Sequence, residues 1–164
     1  MNRVIITAIG KDQPGLVNKI TSIINNNNGN IENSKMIKID DQFAIIINFS
    51  LLGDISNIES ELDSIRKLSY FCKKTDKELQ TIKSEKKYLI KGADDQGIID
   101  TISNYFKDNQ ININEINTFI EPAPVTGSPL FNMEVNIDYN PKDKDTIKSN
   151  LLEICKKLNL DLSD

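Results

Sequence analysis

The segment Gly10-Lys11-Asp12-Gln13-Pro14-Gly15-Leu16-Val17 sets two glycines just ahead of an apolar run with helical spacing. A glycine turn that feeds a helix leaves backbone N–H groups unpaired at the helix start, and such a start holds anions, a carboxylate among them. Gly15 lets a ligand come close to the backbone, and Asp12 is an acceptor for an ammonium group. The Asn30 amide, beside Ile31, offers one donor and one acceptor more. These residue types suit a small zwitterion. Gly10, Asp12, Gly15, Leu16, Asn30 and Ile31 are therefore the first candidate ligand-binding set. They also have a purely structural use, since glycines shape turns and an Asp that caps a helix contributes about 1 kcal/mol.

The pattern occurs twice. Gly92-Ala93-Asp94-Asp95-Gln96-Gly97-Ile98-Ile99 repeats it at an offset of 82 residues, with three identical positions. The same ungapped register pairs Ile20 with Ile102, Ile23 and Ile24 with Tyr105 and Phe106, and Asn30-Ile31 with Asn112-Ile113. A repeat of this length points to duplicated structural units. The expected division is 1–84 and 85–164, with Lys83 to Lys87 as the junction. The second candidate set is Gly92, Asp94, Gly97, Ile98, Asn112 and Ile113. Gln96 stands where the first copy has Pro14, so the second turn is the more divergent one.

Composition narrows the chemistry further. The chain has no histidine, which disfavours the common triads, zinc sites and bases poised near neutral pH. Its two cysteines, Cys72 and Cys155, are too few for a metal cluster, and the expectation for both is a thiol packed in a helix. No metal and no cofactor is implied. Net charge is −4 with 20 basic and 24 acidic residues, the wrong sign for a nucleic-acid groove. The apolar run Val4 to Ile9 is too short for a signal peptide or a bilayer span, so the expectation is a cytoplasmic protein with no membrane partner.

The elements that must position these turns can be read in order. Val4 to Ile9 and Tyr88 to Ile90 are short strands ending at glycine. Leu16, Ile20, Ile23 and Ile24 make one helix face, matched by Ile98, Ile102, Tyr105 and Phe106. Asp12 is expected to cap the first helix and Asn28-Gly29 to end it with a left-handed residue. Hairpins follow at Ile31 to Phe49, around Asp40-Asp41, and at Ile113 to Asp138, around a proline-rich loop. Second helices carry Ile58, Leu62 and Ile65, and Ile147, Leu151, Ile154 and Leu158. Closing strands are expected near Leu79 to Ile82 and near Leu160 to Leu162. The order βαββαβ, twice, predicts an α+β fold: two ferredoxin-like units, each a four-stranded antiparallel sheet with two helices on one face. Phe43 to Ile47 does not alternate, which predicts a strand covered on both faces.

The turn segment with its helix and Gly29-Asn30-Ile31 resembles the signature of ACT domains, small regulatory modules of amino-acid metabolism. Two such units, with Ala123-Pro124-Val125-Thr126-Gly127-Ser128-Pro129-Leu130-Phe131 in the second hairpin, resemble the glycine-cleavage-system transcriptional repressor family. That resemblance implies a non-catalytic regulatory protein that binds glycine or a similar small amino acid at these turns. The doubly apolar Phe43 to Phe49 strand adds the expectation of a homodimer, and an acidic chain with no recognisable DNA-reading helix makes any effect on transcription indirect, through a DNA-binding partner. Two other functions use the same order of elements. A small acyl-phosphate hydrolase needs an arginine in the first turn, and the only arginines, Arg3 and Arg66, lie elsewhere in the sequence. An RNA-binding module needs exposed aromatics on a basic sheet, a signature absent here.

Overall fold

In a computed structural model, residues 2–76 and 84–164 are described; they form two compact units, Met1–Leu79 and Gln80–Asp164. The first contains β1 (Asn2–Lys11), α1 (Leu16–Asn26), β2 (Gly29–Ile39), β3 (Gln42–Leu51), α2 (Ser56–Asp63) and β4 (Leu68–Thr75). The second contains β5 (Ser84–Ala93), α3 (Ile98–Asp108), β6 (Asn112–Pro122), β7 (Pro129–Tyr139), α4 (Lys144–Lys157) and β8 (Leu160–Ser163). Each unit is an antiparallel sheet, ordered β2-β3-β1-β4 and β6-β7-β5-β8. The ferredoxin-like α+β architecture expected from the sequence is the one observed.

Each sheet buries one face under its helices. In unit 1, Val4, Ile6 and Ala8 of β1 and Phe43, Ile45, Ile47 and Phe49 of β3 meet Leu16, Ile20 and Ile24 of α1 and Ile58 and Leu62 of α2. In unit 2, Tyr88, Ile90, Met133, Val135 and Ile137 meet Ile98, Ile102 and Phe106 of α3 and Ile147 and Leu151 of α4. Full burial of one such side chain contributes roughly 1.5–3 kcal/mol, so each unit has its own cooperative core.

The helix ends obey backbone rules more than side-chain rules. Gly15 and Gly97 are the N-caps, at φ +84° and +86°, and neither helix start receives a side-chain oxygen. Asp12 therefore does not cap α1, contrary to expectation. After α1 the left-handed residue is Asn28, at φ +59°, and Gln110 takes the same conformation after α3. Gly29 has a different role: a Cβ there would lie 2.6 Å from Ile24 Cγ2 and 2.9 Å from the Ile24 carbonyl oxygen. The asparagine run also serves this junction. Asn27 Nδ2 donates to the Ile23 carbonyl at 2.9 Å and to Glu61 Oε1 at 2.8 Å, tying α1 to α2.

Four details differ from the sequence reading. The closing strand of unit 1 is Leu68–Thr75; the stretch 79–82 expected for it lies outside the described residues. Leu68, Tyr70 and Cys72 of β4 turn toward the core while Phe71 points outward, the alternation of a half-buried strand. Cys72 is thus a strand thiol, whereas Cys155 is buried in α4 as expected. Ser84 to Lys87 of the expected junction already belong to β5. On β3, Phe43, Ile45 and Ile47 are buried but Ile46 is 46% exposed, so the strand is covered on one face within the unit.

Two phenols mark the packing of β4 and β5. The Tyr70 hydroxyl sits 2.8 Å from Asp63 Oδ1 and 2.9 Å from the Glu59 carbonyl oxygen. Burial, then the Asp63 hydrogen bond and charge, push its pKa up to about 12. Burial, followed by the negative charge of Asp164, does the same for Tyr88, also to about 12. A raised phenol pKa favours the neutral form in the folded state. Its stabilisation is whole below pH 10 and declines as pH rises from there through about 12. Alkaline ultraviolet titration should accordingly show Tyr70 and Tyr88, two of four tyrosines, ionising near 12 or only as the fold is lost. Ionisation of all four near 10 in folded protein would contradict this packing.

Candidate functional site

The β1–α1 turn of unit 1 is built by three contacts. Gly10 packs against the start of β4, where a Cβ would come within 2.6 Å of the Lys67 carbonyl oxygen. The Asp12 N–H donates to the Asp41 carbonyl at 2.8 Å, joining the turn to the β2–β3 hairpin. Leu16 N–H closes the turn on the Gln13 carbonyl at 3.3 Å. Beyond Gly15 the space is open, with no heavy atom within 4 Å of a Cβ built there. The Asp12 carboxylate is 2.7 Å from Lys38 Nζ, and this hydrogen bond and charge raise the lysine's pKa. Asp12 thus sits beside the open turn as an anchored acceptor.

The candidate residues divide by the sheet's geometry. Gly10, Asp12 and Gly15 come together, and Leu16 is buried in the core, 2% exposed. Asn30 and Ile31 lie elsewhere. Asn30 pairs with Ser50, and Ser50 with Arg3, at the far end of β1 from Gly10. Seven residues of strand at about 3.3 Å each put some 23 Å between those ends. The antiparallel hairpin is the cause: β2 starts where β1 starts. Unit 2 repeats the separation, with Asn112 paired to Asp138 beside Glu85, while Gly92 pairs with Phe131 at the opposite end. Asn112 Nδ2 is engaged with Asn114 Oδ1 at 2.9 Å, and Ile113 packs against the core. Within one unit, then, Asn30 and Ile31, like Asn112 and Ile113, do not complete the turn site.

Other residues do reach the turn of unit 1. A cavity of about 620 Å³ lies between it and the α2–β4 connection, lined by Lys11, Asp12, Gln13, Lys19, Arg66 and Lys67 among others. Arg66 and Lys67 are distant in sequence, and the β1–β4 pairing Gly10↔Leu68 delivers them. Arg66 was discounted above because it is not in the first turn; tertiary structure places it beside that turn. No sequence periodicity marks this, and the alternation at Leu68, Tyr70 and Cys72 was the one available clue to the pairing.

The second turn is poorer. Gly97 faces open space as Gly15 does, and Asp94 and Ile98 hold the positions of Asp12 and Leu16, with Ile98 buried. Asp95, in place of Gln13, accepts from the Gln96 N–H at 2.7 Å and so occupies a turn amide itself. A cavity of about 620 Å³ in unit 2 sits at the other end of its sheet, where Asp138 and Asp143 contribute acidic groups.

The ACT domain family profile matches residues 2–69. A UPF0237 protein of Clostridium perfringens is 34% identical over 64 residues, 39% of this chain and 67% of that protein. A UPF0237 protein of Methanocaldococcus jannaschii is 34% identical over 67 residues, 41% of this chain and 70% of its own. Among solved structures, an unknown protein from Galdieria sulphuraria superposes at a TM-score of 0.88 with 22% identity, covering 99% of this chain and 96% of its own. A candidate glycine cleavage system transcriptional repressor superposes at 0.66 with 17% identity, covering 99% and 95%. At those identities the two structures speak for the fold across both units. The family profile lies in the first, and with the sequence relatives it shows that the chain belongs to the ACT-domain family, as a tandem of two ACT folds.

Proposed function

We propose that the protein is a regulatory module that binds a small amino acid, glycine or one similar to it, at the β1–α1 turn of unit 1. The observation that carries this is the open, uncapped helix start at Gly15 beside the anchored Asp12 carboxylate. First-turn amides receive the ligand's carboxylate, and Asp12 receives its ammonium in exchange for Lys38. The turn at Gly97 is the second candidate. Ligand binding alters how the protein engages a DNA-binding regulator, and a reciprocal change in ligand affinity must follow. The link to glycine cleavage rests on the resemblance of the second hairpin and on the structural neighbour of that description.

Calorimetry with the twenty amino acids is the test. Saturable binding of at least one is expected, with affinity at least tenfold weaker in Asp12→Ala, because a charge-assisted hydrogen bond contributes about 1.5–3 kcal/mol. Absence of binding at millimolar concentration removes the sensing function.

Homodimerisation is part of the proposal. The helix-free face of the first sheet carries Ile9, Ile37, Ile46 and Phe71, each between 46% and 66% exposed. Register makes them neighbours: Ile9 and Ile37 both flank Ala44, and Ile46 and Phe71 both flank Thr7. An apolar patch of this kind is characteristic of an association surface. Light scattering should give twice the chain mass of 18.5 kDa, and Ile46→Lys should return it to the monomer value. A wild-type monomer at working concentration would rule the dimer out.

A further inference from the structure

We propose that the cavity beside the unit 1 turn binds a compact dianion, a phosphoryl group or a dicarboxylate, through Lys11, Lys19, Arg66 and Lys67. The proposal goes beyond the reading above, resting on it only for the place of the site and assigning that place an anionic ligand. Four cations from three separate elements line one cavity, and none of them has an ion-pair partner among the described residues. The one carboxylate in the lining, Asp12, is already neutralised by Lys38 at 2.7 Å. The chain as a whole carries −4, so this cluster runs against its overall sign. Like charges gathered at one place repel each other, and an anion between them relieves that repulsion.

Unit 2 is an internal comparison. Gly10 pairs with Leu68 and Gly92 with Leu160, so Arg66 and Lys67 correspond to Leu158 and Asn159. By the 82-residue offset, Lys11 and Lys19 correspond to Ala93 and Thr101. The backbone is preserved while every cation is gone: Lys67 and Asn159 share the left-handed conformation, at φ +64° and +53°. A residue needed only for that turn could be asparagine, as unit 2 shows. The positive charge is therefore a property of the first site and not of the fold. All four side chains are exposed, and single exposed pairs bind weakly. A ligand with two negative charges engages several at once, whereas a neutral zwitterion engages few.

The experiment is calorimetric titration of the full chain with inorganic phosphate, with succinate, and with glycine as the neutral zwitterion. It is run at low and high ionic strength on wild type and on Lys11→Ala/Lys19→Thr/Arg66→Gln/Lys67→Asn. Three of these replacements are residues unit 2 already carries at the same places. Phosphate or succinate should bind at one site per chain, at least about tenfold more weakly in the variant and in high salt. Lys67→Asn alone, whose backbone is already accommodated by asparagine in unit 2, should weaken binding about threefold if the quadruple variant melts early. Binding of phosphate alone or succinate alone identifies the phosphoryl or the dicarboxylate source. No binding by either dianion, or binding unchanged in both variants, overturns the proposal. Glycine binding with neither dianion bound leaves amino-acid sensing standing and removes this inference. Phosphate binding with no amino acid bound does the reverse.

Discussion

Phe106→Ala should cost unit 2 about 3–5 kcal/mol, the range for removing a fully buried aromatic ring from a core. Phe106 has no exposed surface, lies 5.5 Å from the Tyr105 ring centre, and joins α3 to the strands beneath it. A single domain is stable by only about 5–15 kcal/mol, so the loss is a large part of the total. The cores of the two units share no residue. Urea unfolding of the variant should therefore separate into two transitions, an early one for unit 2 and an unshifted one for unit 1. One transition that moves as a whole would show that the units unfold together.

Gly10→Ala should destabilise unit 1 by about 2 kcal/mol, within the range for overpacking a tight site. The added Cβ would meet the Lys67 carbonyl oxygen at 2.6 Å, and a backbone atom held immediately before the paired β4 cannot swing away as a side chain does. Gly92→Ala is the control. Its nearest neighbour, at 2.5 Å, is Leu160 Cδ2, the mobile end of a side chain, with the Asn159 carbonyl at 3.0 Å. The second substitution should cost less, and denaturant midpoints of the two units measure the difference. Equal losses would mean that the close approach of β4 to Gly10 is not what requires glycine. Because Lys67 is the residue displaced, Gly10→Ala should also weaken any ligand held in the adjacent cavity.

The twofold βαββαβ order was legible because hydrophobic period is a local property. Leu16, Ile20 and Ile24 announce one buried helix face, and Phe131, Met133, Val135 and Ile137 one buried strand face, whatever surrounds them. The glycines at 15 and 97 were legible for a similar reason, since a positive φ at a strand-to-helix turn selects for them. β4 was missed because half of its alternation is carried by Leu68, Tyr70 and Cys72, residues that suit a helix as well as a strand. Asp12 illustrates a different limit. Its short side chain suits an N-cap, and the competing partner, Lys38, is contributed by a strand that only the folded hairpin brings near.

The sequence by itself determined the duplication, the class of fold, the two turns and the absence of imidazole chemistry, all of them consequences of residue type at short spacing. Tertiary structure alone decided which residues lie beside the turn. Antiparallel pairing of β1 with β3 and of β3 with β2 carried Asn30 and Ile31 to the far end of the sheet from Gly15. Antiparallel pairing of β1 with β4 brought Arg66 and Lys67 to the turn instead. Strand direction and register are set by which faces the whole core buries, and no window of neighbouring residues contains that information.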